Sequence, residues 1–376
     1  MRIRFCCTNF ASEFDIEEME ITRNDVEQAV GLLKILISTP SVSRDESAAA
    51  DKLQSYIERS APFLGTVHRH LNNIWCIAPG YDASRPTLLL DAHIDTVKPV
   101  AAWTKSPFTP VVEDDCLYGL GSNDDGASLV TMLHVFYKLC EAEQSYNLIF
   151  LASAEEEVSG KDGIESVLPM LPPISCAIIG EPTGMHPAIA EKGLMVLDCT
   201  AHGRSGHAAR NEGVNAIYEA LPDVEWFRTF AFPKVSPLLG AVKMSVTQIN
   251  AGTQHNVVPD MCKYVVDVRS NECYSNKELV EIISENVKSE VKPRSLRLNS
   301  SSIEPEHPLV RRAMELGRKP FGSPTLSNQA LISGVPCLKM GPGESSRSHT
   351  ANEFIKLSEI REGMEIYLNL LDGLKL

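Results

Sequence analysis

Several apolar segments of the chain end in histidine or acidic side chains, residue types that suit metal-dependent or acid–base chemistry. At or just beyond the ends of "TLLLDA", "NLIFLASA", "AIIG" and "PCLKMG" stand His93, Asp95, Glu156, Glu157, Glu181 and, after a glycine-rich loop, His349. Asp124 precedes a predicted helix in "YGLGSNDDGAS". In open α/β sheets, functional sites form beyond the carboxyl ends of the strands. The pattern therefore predicts that these side chains meet at one edge of one sheet.

Each of these residues also has an ordinary interpretation. A histidine after a strand is most often a surface or core residue, and an acidic residue at a helix start is usually a cap. A run of glutamates is usually solvated. Their joint placement nevertheless favours a metal site, and oxygen and nitrogen ligands without thiolates suit Zn²⁺, Mn²⁺ or Co²⁺.

The charge count fits two divalent ions. Asp124, Glu157 and Glu181 supply three negative charges and a hydroxide ion adds a fourth, while histidine ligands are neutral. In this hypothesis Glu156 stays free as a base and Glu155 points elsewhere. The run of three glutamates then marks a place where strong positive charge binds.

The elements that must position these residues are those of an α/β domain. Short apolar segments predict buried strands, and helical spacing predicts helices in "NDVEQAVGLLKILI", "ESAAADKLQSYIERS" and "GASLVTMLHVFYKLCEA". Apolar strands that alternate with helices indicate an α/β fold with a mainly parallel sheet flanked by helices.

The pattern changes in the middle of the chain, where strands alternate apolar and polar residues. We interpret 192–295 as a smaller α+β domain inserted into a larger domain of 1–191 and 296–376, which carries the predicted site. Residues 1–18 are expected to be a poorly ordered leader, and Met19 is an alternative start.

Composition excludes some classes of partner. The formal net charge of −14 argues against nucleic acid or an anionic membrane as the main partner, and no apolar stretch approaches the roughly 20 residues of a membrane span. None of the ten cysteines forms a CxxC pair, which favours core residues in a reducing compartment. We therefore expect a cytoplasmic protein.

Taken together, the motifs resemble those of the zinc aminoacyl-amidohydrolases that include acetylornithine deacetylase, succinyl-diaminopimelate desuccinylase and carboxypeptidase G. The resemblance covers nearly the whole chain after residue 20. In the family's order, the motifs are "DAHIDTV", "YGLGSNDDGAS", "SAEEEVSG", "GEPT", "AHGRSGHAA", "NAGTQHNVVPD" and "SHTANE". Their number and order identify the family more strongly than any single motif.

The resemblance implies two zinc ions that share one ligand. His93, Asp124 and Glu181 would bind the first ion. Asp124, Glu157 and His349 would bind the second, with Co²⁺ or Mn²⁺ as possible substitutes. A bridging carboxylate suits ions roughly 3.5–4 Å apart.

The resemblance also implies how protons move. Glu156 would accept the proton of the attacking water and pass it to the departing amine. Asp95 lies two residues after His93, on the same side if the strand persists, and would orient its imidazole.

Further residues match positions that contact the substrate in the family. His207 would steady the tetrahedral oxyanion, and Asn256 and Arg269 would bind the α-carboxylate. Arg347 lies two residues before His349, and two interpretations stay open for it. It either binds a carboxylate on the acyl group, such as a succinyl tail, or it braces the loop or faces solvent.

In dimeric members of the family, the histidine equivalent to His207 reaches the active site of the partner subunit. The resemblance therefore implies a homodimer with each site built from two chains. In this interpretation 1–191 and 296–376 form the catalytic metal-binding domain, and 192–295 is the inserted lid and dimerisation domain.

The chain departs from the common family pattern at three places. Many relatives have arginine at Leu120, lysine at Gly126 and aspartate at Asn328. The first two are not ligand positions. The third either changes the substrate pocket or the hydrogen bonding of Ser327.

The resemblance implies hydrolysis of the amide of an N-acyl-L-amino acid. The acetylornithine deacetylase branch is the most similar, which would yield ornithine for arginine synthesis. Acyl-citrulline or N-succinyl substrates, succinyl-diaminopimelate desuccinylase, dipeptidase and general aminoacylase activities stay open. A non-catalytic metal-binding relative is the rival class, but such proteins usually lose the base or a ligand.

Overall fold

The computed structural model describes residues 19–210, 212–332 and 334–376, so the predicted leader of 1–18 lies outside the described residues. The helices are α1 Arg23–Ile37, α2 Ser47–Ser60, α3 Gly126–Leu139, α4 Ile164–Val167, α5 Ala216–Thr229, α6 Asn276–Asn286, α7 Pro308–Glu315 and α8 Leu357–Leu371. The strands are β1 His68–His70, β2 Asn73–Ile77, β3 Thr87–His93, β4 Val111–Glu113, β5 Cys116–Tyr118, β6 Asn147–Ser153, β7 Cys176–Ile179, β8 Ala188–Glu191, β9 Met195–His202, β10 Gly206–His207, β11 Lys243–Ala251, β12 Val257–Val258, β13 Met261–Arg269, β14 Glu290–Pro293, β15 Ser301–Ser302, β16 Phe321–Ser323, β17 Cys337–Lys339 and β18 Phe354–Lys356.

A mixed sheet of nine strands forms the centre of the molecule. Its order is β1-β2-β6-β3-β7-β17-β8-β15, and β16 pairs with β8. The central strands β6, β3, β7 and β17 are parallel to one another, whereas β2 and β8 run antiparallel to the central strand beside each of them. Every residue of β3 and β6 is buried, which explains their continuous apolar sequences. The predicted α/β fold class is confirmed.

Both faces of this sheet are covered. On one face, α1, α2, α3 and α8 pack on a cluster that contains Leu33, Leu90 and Phe150. On the other face, α4 contributes Ile164 to a smaller cluster with Leu89 and other strand residues. The sheet is thus an internal layer, and its strand ends are where polar groups can reach solvent.

A second sheet, β11-β13-β9-β14, is antiparallel and has its own core. Helices α5 and α6 contribute to its buried cluster, in which Leu197, Phe227 and Tyr264 take part. Strand β9 alternates buried and half-buried residues, as the sequence pattern indicates for this region. The edge strand β11 is mostly exposed.

The chain leaves the large sheet after β8 and returns to it at β15, which is the path of an inserted unit. The boundaries at 191/192 and 295/296 stay a prediction. Among the described residues, every helix is too short or too polar to traverse a lipid bilayer. The cysteines in the same residues are free thiols.

Candidate metal centre

The five predicted metal ligands come from the strand ends and from two loops beside them. His93 is the last residue of β3, and Glu181 follows the end of β7. Glu157 belongs to a single helical turn after β6. Asp124 precedes α3, and His349 lies in the loop between β17 and β18.

Asp124 lies between two histidines. Its Oδ1 is 3.2 Å from His93 Nε2, and its Oδ2 is 3.6 Å from His349 Nε2. A carboxylate that presents one oxygen to each imidazole has the arrangement of a bridging ligand in a two-metal site. This arrangement is the one expected if Asp124 is shared by two metal ions, as the family resemblance implies.

Glu157 joins the same group of donor atoms. Its Oε2 lies 2.9 Å from His349 Nε2, and its side chain is nearly buried. Ligand atoms of His93, Asp124 and Glu157 all lie within 4.8 Å of one another. A single ion can therefore reach several of these donors without large rearrangement.

Glu181 belongs to a second group. Its ligand atom lies within 4.8 Å of those of His93 and Glu156. The family resemblance instead implies a first site made of His93, Asp124 and Glu181. The structure thus places Glu156, the predicted base, close to two predicted ligands. Which of the adjacent glutamates binds metal stays a prediction.

The centre brings together acidic side chains whose charged forms are disfavoured by burial. Burial raises the pKa of Glu181 to about 8 and that of Glu156 well above its usual range. A hydrogen bond with Glu157 raises the pKa of His349 to about 9. Burial thus favours the neutral form of the Glu156 and Glu181 carboxyl groups. Divalent ions would relieve the repulsion, and the oxygen and nitrogen donor set fits zinc.

Asp95 organises both sides of the centre. The Nδ1 atom of His93 is 2.9 Å from the carbonyl oxygen of Asp95, which leaves Nε2 free to face Asp124. The Asp95 carboxylate accepts hydrogen bonds from the backbone N–H of Glu156 at 3.0 Å and of Glu157 at 3.2 Å. Ser43 Oγ also donates to this carboxylate, at 2.7 Å.

The glutamate run forms a tight turn that separates its three side chains. Glu155 adopts a left-handed conformation with φ 55°, and its N–H donates to the buried Glu46 at 3.3 Å. Its side chain packs against Gly160, where an added Cβ would lie 1.7 Å from Glu155 Oε2. The same Cβ would lie 2.6 Å from Glu155 Cβ, so a larger residue at position 160 would displace the Glu155 side chain from this contact.

Glu353 is a functional candidate that the sequence analysis missed. Its buried carboxylate accepts hydrogen bonds from the backbone N–H of Gly121 at 3.0 Å, Asn123 at 2.8 Å and Asp124 at 3.0 Å. It therefore shapes the loop that carries Asp124. The motif "SHTANE" contains this residue, and its position after His349 was the available signal.

The predicted substrate residues of the inserted region lie on its surface. His207 is exposed in the short β10–β12 pair, and its Nδ1 accepts the N–H of Ala209 at 3.1 Å. Asn256 is exposed as well. Arg269 is half-buried and pairs with Asp267 at 2.9 Å. Among the described residues, none of the three predicted substrate residues has a hydrogen bond or ion pair with the metal ligands.

The Arg347 side chain forms an ion pair with Glu359. Its two terminal nitrogens donate to both carboxylate oxygens of Glu359, at 2.6 and 2.9 Å. Its guanidinium also lies 4.6 Å from the centre of the Phe354 ring. The structure favours the interpretation that Arg347 braces the loop of His349, over the predicted contact with an acyl group.

The three departures from the family pattern have local explanations. Leu120 is buried in the core. Gly126 begins α3 so close to Gly121 that an added Cβ would lie 2.4 Å from its carbonyl oxygen, which excludes a lysine in this backbone. Asn328 is buried and hydrogen-bonded beneath the metal centre. Ser327 donates to Glu191 at 2.7 Å.

Curated relatives align over almost the whole chain. An acetylornithine deacetylase of Pectobacterium carotovorum is 27% identical over 366 residues, covering 90% of this chain and 95% of the relative. An acetylornithine deacetylase of Klebsiella pneumoniae is 27% identical over 383 residues, covering 92% and 97%.

Solved structures share the fold. A tripeptidase of Staphylococcus aureus superposes with a TM-score of 0.71 at 21% identity, covering 92% of this chain and 97% of that one. Aminopeptidase PepT of Bacillus cereus gives 0.74 at 18% identity, covering 93% and 98%. The Bacillus subtilis YXEP protein, a dinuclear metal-binding peptidase, gives 0.69 at 16% identity, covering 94% and 100%.

Carboxylates and imidazoles thus gather beyond the parallel strands of the large sheet, and a second sheet is inserted into the chain between β8 and β15. The family model of peptidase family M20/M25/M40 matches residues 89–373. The chain belongs to this family of hydrolytic enzymes, which confirms the resemblance read from the motifs.

Proposed function

We propose that this enzyme is a dinuclear zinc hydrolase that cleaves the amide bond of an N-acyl-L-amino acid. The observation that carries the proposal is the placement of Asp124 between His93 and His349, with two further glutamates beside them. The acetylornithine deacetylases that align with the chain make N-acetylornithine the first substrate to test. The product ornithine would serve arginine synthesis, and we expect the enzyme in the cytoplasm.

Five side chains would hold the metal ions. His93, Asp124 and Glu181 would bind one ion, while Asp124, Glu157 and His349 would bind the other. Bound ions would polarise the scissile carbonyl and activate a water molecule. Zinc suits these donors, and Co²⁺ or Mn²⁺ can substitute for it.

Glu156 is the proposed proton carrier. Its side chain is 10% exposed, and its Oε2 lies 4.0 Å from His93 Nε2, so it reaches the centre and keeps a small exposed part. It would take a proton from the attacking water and deliver it to the departing amine. Because Asp95 accepts the N–H of Glu156, the base is held at a fixed point of the turn.

The inserted domain would supply the remaining contacts. His207 would donate to the oxyanion, and Asn256 with Arg269 would bind the α-carboxylate. The exposed position of His207 supports delivery by a partner chain in a homodimer. Tyr218 on α5 is 69% exposed and Ile249 on β11 is 51% exposed, which suits an interface between inserted domains.

The acyl group is proposed to be acetyl rather than succinyl. A succinyl tail carries a second carboxylate that needs a cation, and Arg347 is the candidate from the sequence. Glu359 pairs with Arg347 through both of its carboxylate oxygens, so the Arg347 guanidinium is already neutralised within the protein. It is therefore a poor partner for a succinyl carboxylate.

Two measurements test the proposal. Zinc bound per chain is measured on purified protein, and release of free amine is followed over a panel of N-acyl amino acids and short peptides. We expect two zinc ions and the fastest turnover on N-acetylornithine. Zinc binding without hydrolysis of any member would indicate a non-catalytic relative, and faster cleavage of peptides would indicate a peptidase.

A further inference from the structure

A buried amide joins two strands directly beneath the metal centre. Asn328 begins the turn Asn328–Leu331 and is 2% exposed. Its Nδ2 donates to Asp91 Oδ2 at 3.0 Å and to Ser153 Oγ at 2.9 Å. Both hydrogens of the amide are therefore used inside the protein.

The two acceptors flank the point where His93 leaves the sheet. Side chains alternate along β3, so Asp91 faces the same side as His93 and lies one step before it. Ser153 is the residue of β6 that pairs in register with His93. Asn328 thus contacts the neighbour of His93 along its own strand and the neighbour across the sheet.

Asp91 is an unusual residue for this position. It is completely buried, and the same face of the sheet carries the apolar side chains Leu89 and Leu151. Among the described residues, Oδ1 of Asp91 has no hydrogen-bond partner. A buried carboxylate is unfavourable unless it is paired, so the amide of Asn328 is a main source of its stabilisation.

We infer that Asp91 and Asn328 form a positioning pair that sets His93 for metal binding. Neither residue is among the predicted metal ligands or substrate-binding residues. The pair acts by linking strand β3, which carries His93, to the turn Asn328–Leu331 and to the neighbouring strand β6. The inference rests on the proposed metal function of His93. It requires one carboxylate and one amide at positions 91 and 328, in either order.

The exchange of the two side chains tests this requirement. Asn328→Asp places two carboxylates together and should weaken zinc binding by about 10–100-fold, the range for residues that support ligands. Asp91→Asn should have a smaller effect, because an amide still meets an amide. The double variant Asp91→Asn with Asn328→Asp restores a carboxylate–amide pair and should recover most of the zinc affinity.

Gln329→Glu is the matched control. This neighbouring side chain is 1% exposed and donates to the carbonyl oxygen of Cys337 at 2.9 Å, so the change also buries a new carboxylate. Its effect should not be relieved by Asp91→Asn. Should Asn328→Asp fail to fold, the soluble double variant and Asn328→Ala still report on zinc affinity.

The readouts are the zinc dissociation constant from competition with a chelating dye, kcat of zinc-loaded protein and thermal unfolding of metal-free protein. Unchanged zinc affinity in Asn328→Asp, or a double variant no better than this single one, would overturn the inference. A lower unfolding temperature alone would mean that the pair is merely structural. Failure of the unaltered protein to bind zinc would instead refute the proposed function.

Discussion

The edge of the large sheet and the outer surface of the inserted domain hold their predicted functional residues very differently. At the sheet edge, His93 is 3% exposed, and the carboxylates of Asp95 and Glu353 each accept two or more backbone hydrogen bonds from the ligand segments. On the inserted domain, His207 is exposed, and Arg269 pairs with Asp267, a neighbour on its own strand.

This difference indicates two kinds of functional residue. The side chains of the sheet edge are held in place by hydrogen bonds in the protein itself, so they would need little reorganisation to bind metal. Under the proposed function, the inserted domain would be brought to the substrate by closure or by a second chain. Changes at the sheet edge should therefore alter metal content, whereas changes on the inserted domain should alter turnover alone.

The largest effects should come from the glutamate turn. Glu157→Ala should lose metal and nearly all turnover, because it removes a ligand. Glu156→Gln should keep both ions and lower kcat by roughly 10²–10⁴-fold, because it removes only the proton carrier. Metal analysis and turnover are measured on both variants. If Glu156→Gln loses metal while Glu157→Ala keeps it, the assigned roles are wrong by one residue.

The next effect concerns His207. His207→Ala should lower kcat by roughly 10²–10³-fold with unchanged zinc content, since an oxyanion donor acts mainly in the transition state. His202→Ala is a suitable control, because this exposed histidine pairs with Glu290 at 3.4 Å on the same domain. Loss of zinc in His207→Ala would remove the distinction between the two regions.

A mixed dimer sharpens the test of His207. Inactive Glu156→Gln and His207→Ala chains are mixed under conditions that exchange subunits. If the histidine acts across the dimer, a mixed dimer has one site with both defects and one intact site, so activity should return. Exchange without activity, or a strictly monomeric active enzyme, would show that each site is built from one chain.

A smaller effect is expected for Glu353. Glu353→Gln leaves backbone N–H groups of the Asp124 loop with a weaker acceptor and should weaken zinc binding by about 10–100-fold. Loss of this buried acceptor should also lower the free energy of unfolding by about 1–3 kcal/mol. Calorimetric zinc titration and chemical unfolding measure both. Glu344 is exposed in the loop between β17 and β18, which also carries Glu353, and Glu344→Gln is the control variant. Equal effects of the two changes would contradict the role of Glu353 in supporting the Asp124 loop.

The smallest effect should come from Arg347. Arg347→Ala breaks a partly buried pair with Glu359 and should destabilise the loop by at most about 3 kcal/mol. Because the side chain braces the fold, turnover on N-acetyl and N-succinyl substrates should fall by the same factor. A loss confined to the succinyl substrate would restore the acyl-binding role.

Local sequence pattern was sufficient for much of the fold. Helical spacing and the stop before Pro40 predict α1, which ends at Ile37. Apolar runs predict β3 and β6, because strands buried on both faces carry no alternation. The direction of the outer strands was not predictable, since pairing depends on contacts between distant segments. Helix α8 lay outside the predicted elements.

The site shows the same division. The gathering of His93, Glu157 and Glu181 beyond the strand ends was predictable, because parallel strands bring their carboxyl ends to one edge. The hydrogen-bond partners of Glu353 and Asn328 were not predictable, because they are far away in sequence. Glu353 binds Asp124 across 229 positions, and Asn328 binds Asp91 across 237. Such contacts leave no periodic signal in a single sequence.

The central claim is that two metal ions lie at the sheet edge and share Asp124. Anomalous X-ray diffraction at the zinc absorption edge, on crystals of the zinc-loaded protein, tests it most directly. We predict two peaks roughly 3.5–4 Å apart, one ligated by His93 and Glu181, the other by Glu157 and His349, with Asp124 between them. A single peak, or a peak ligated by Glu156, would contradict the account.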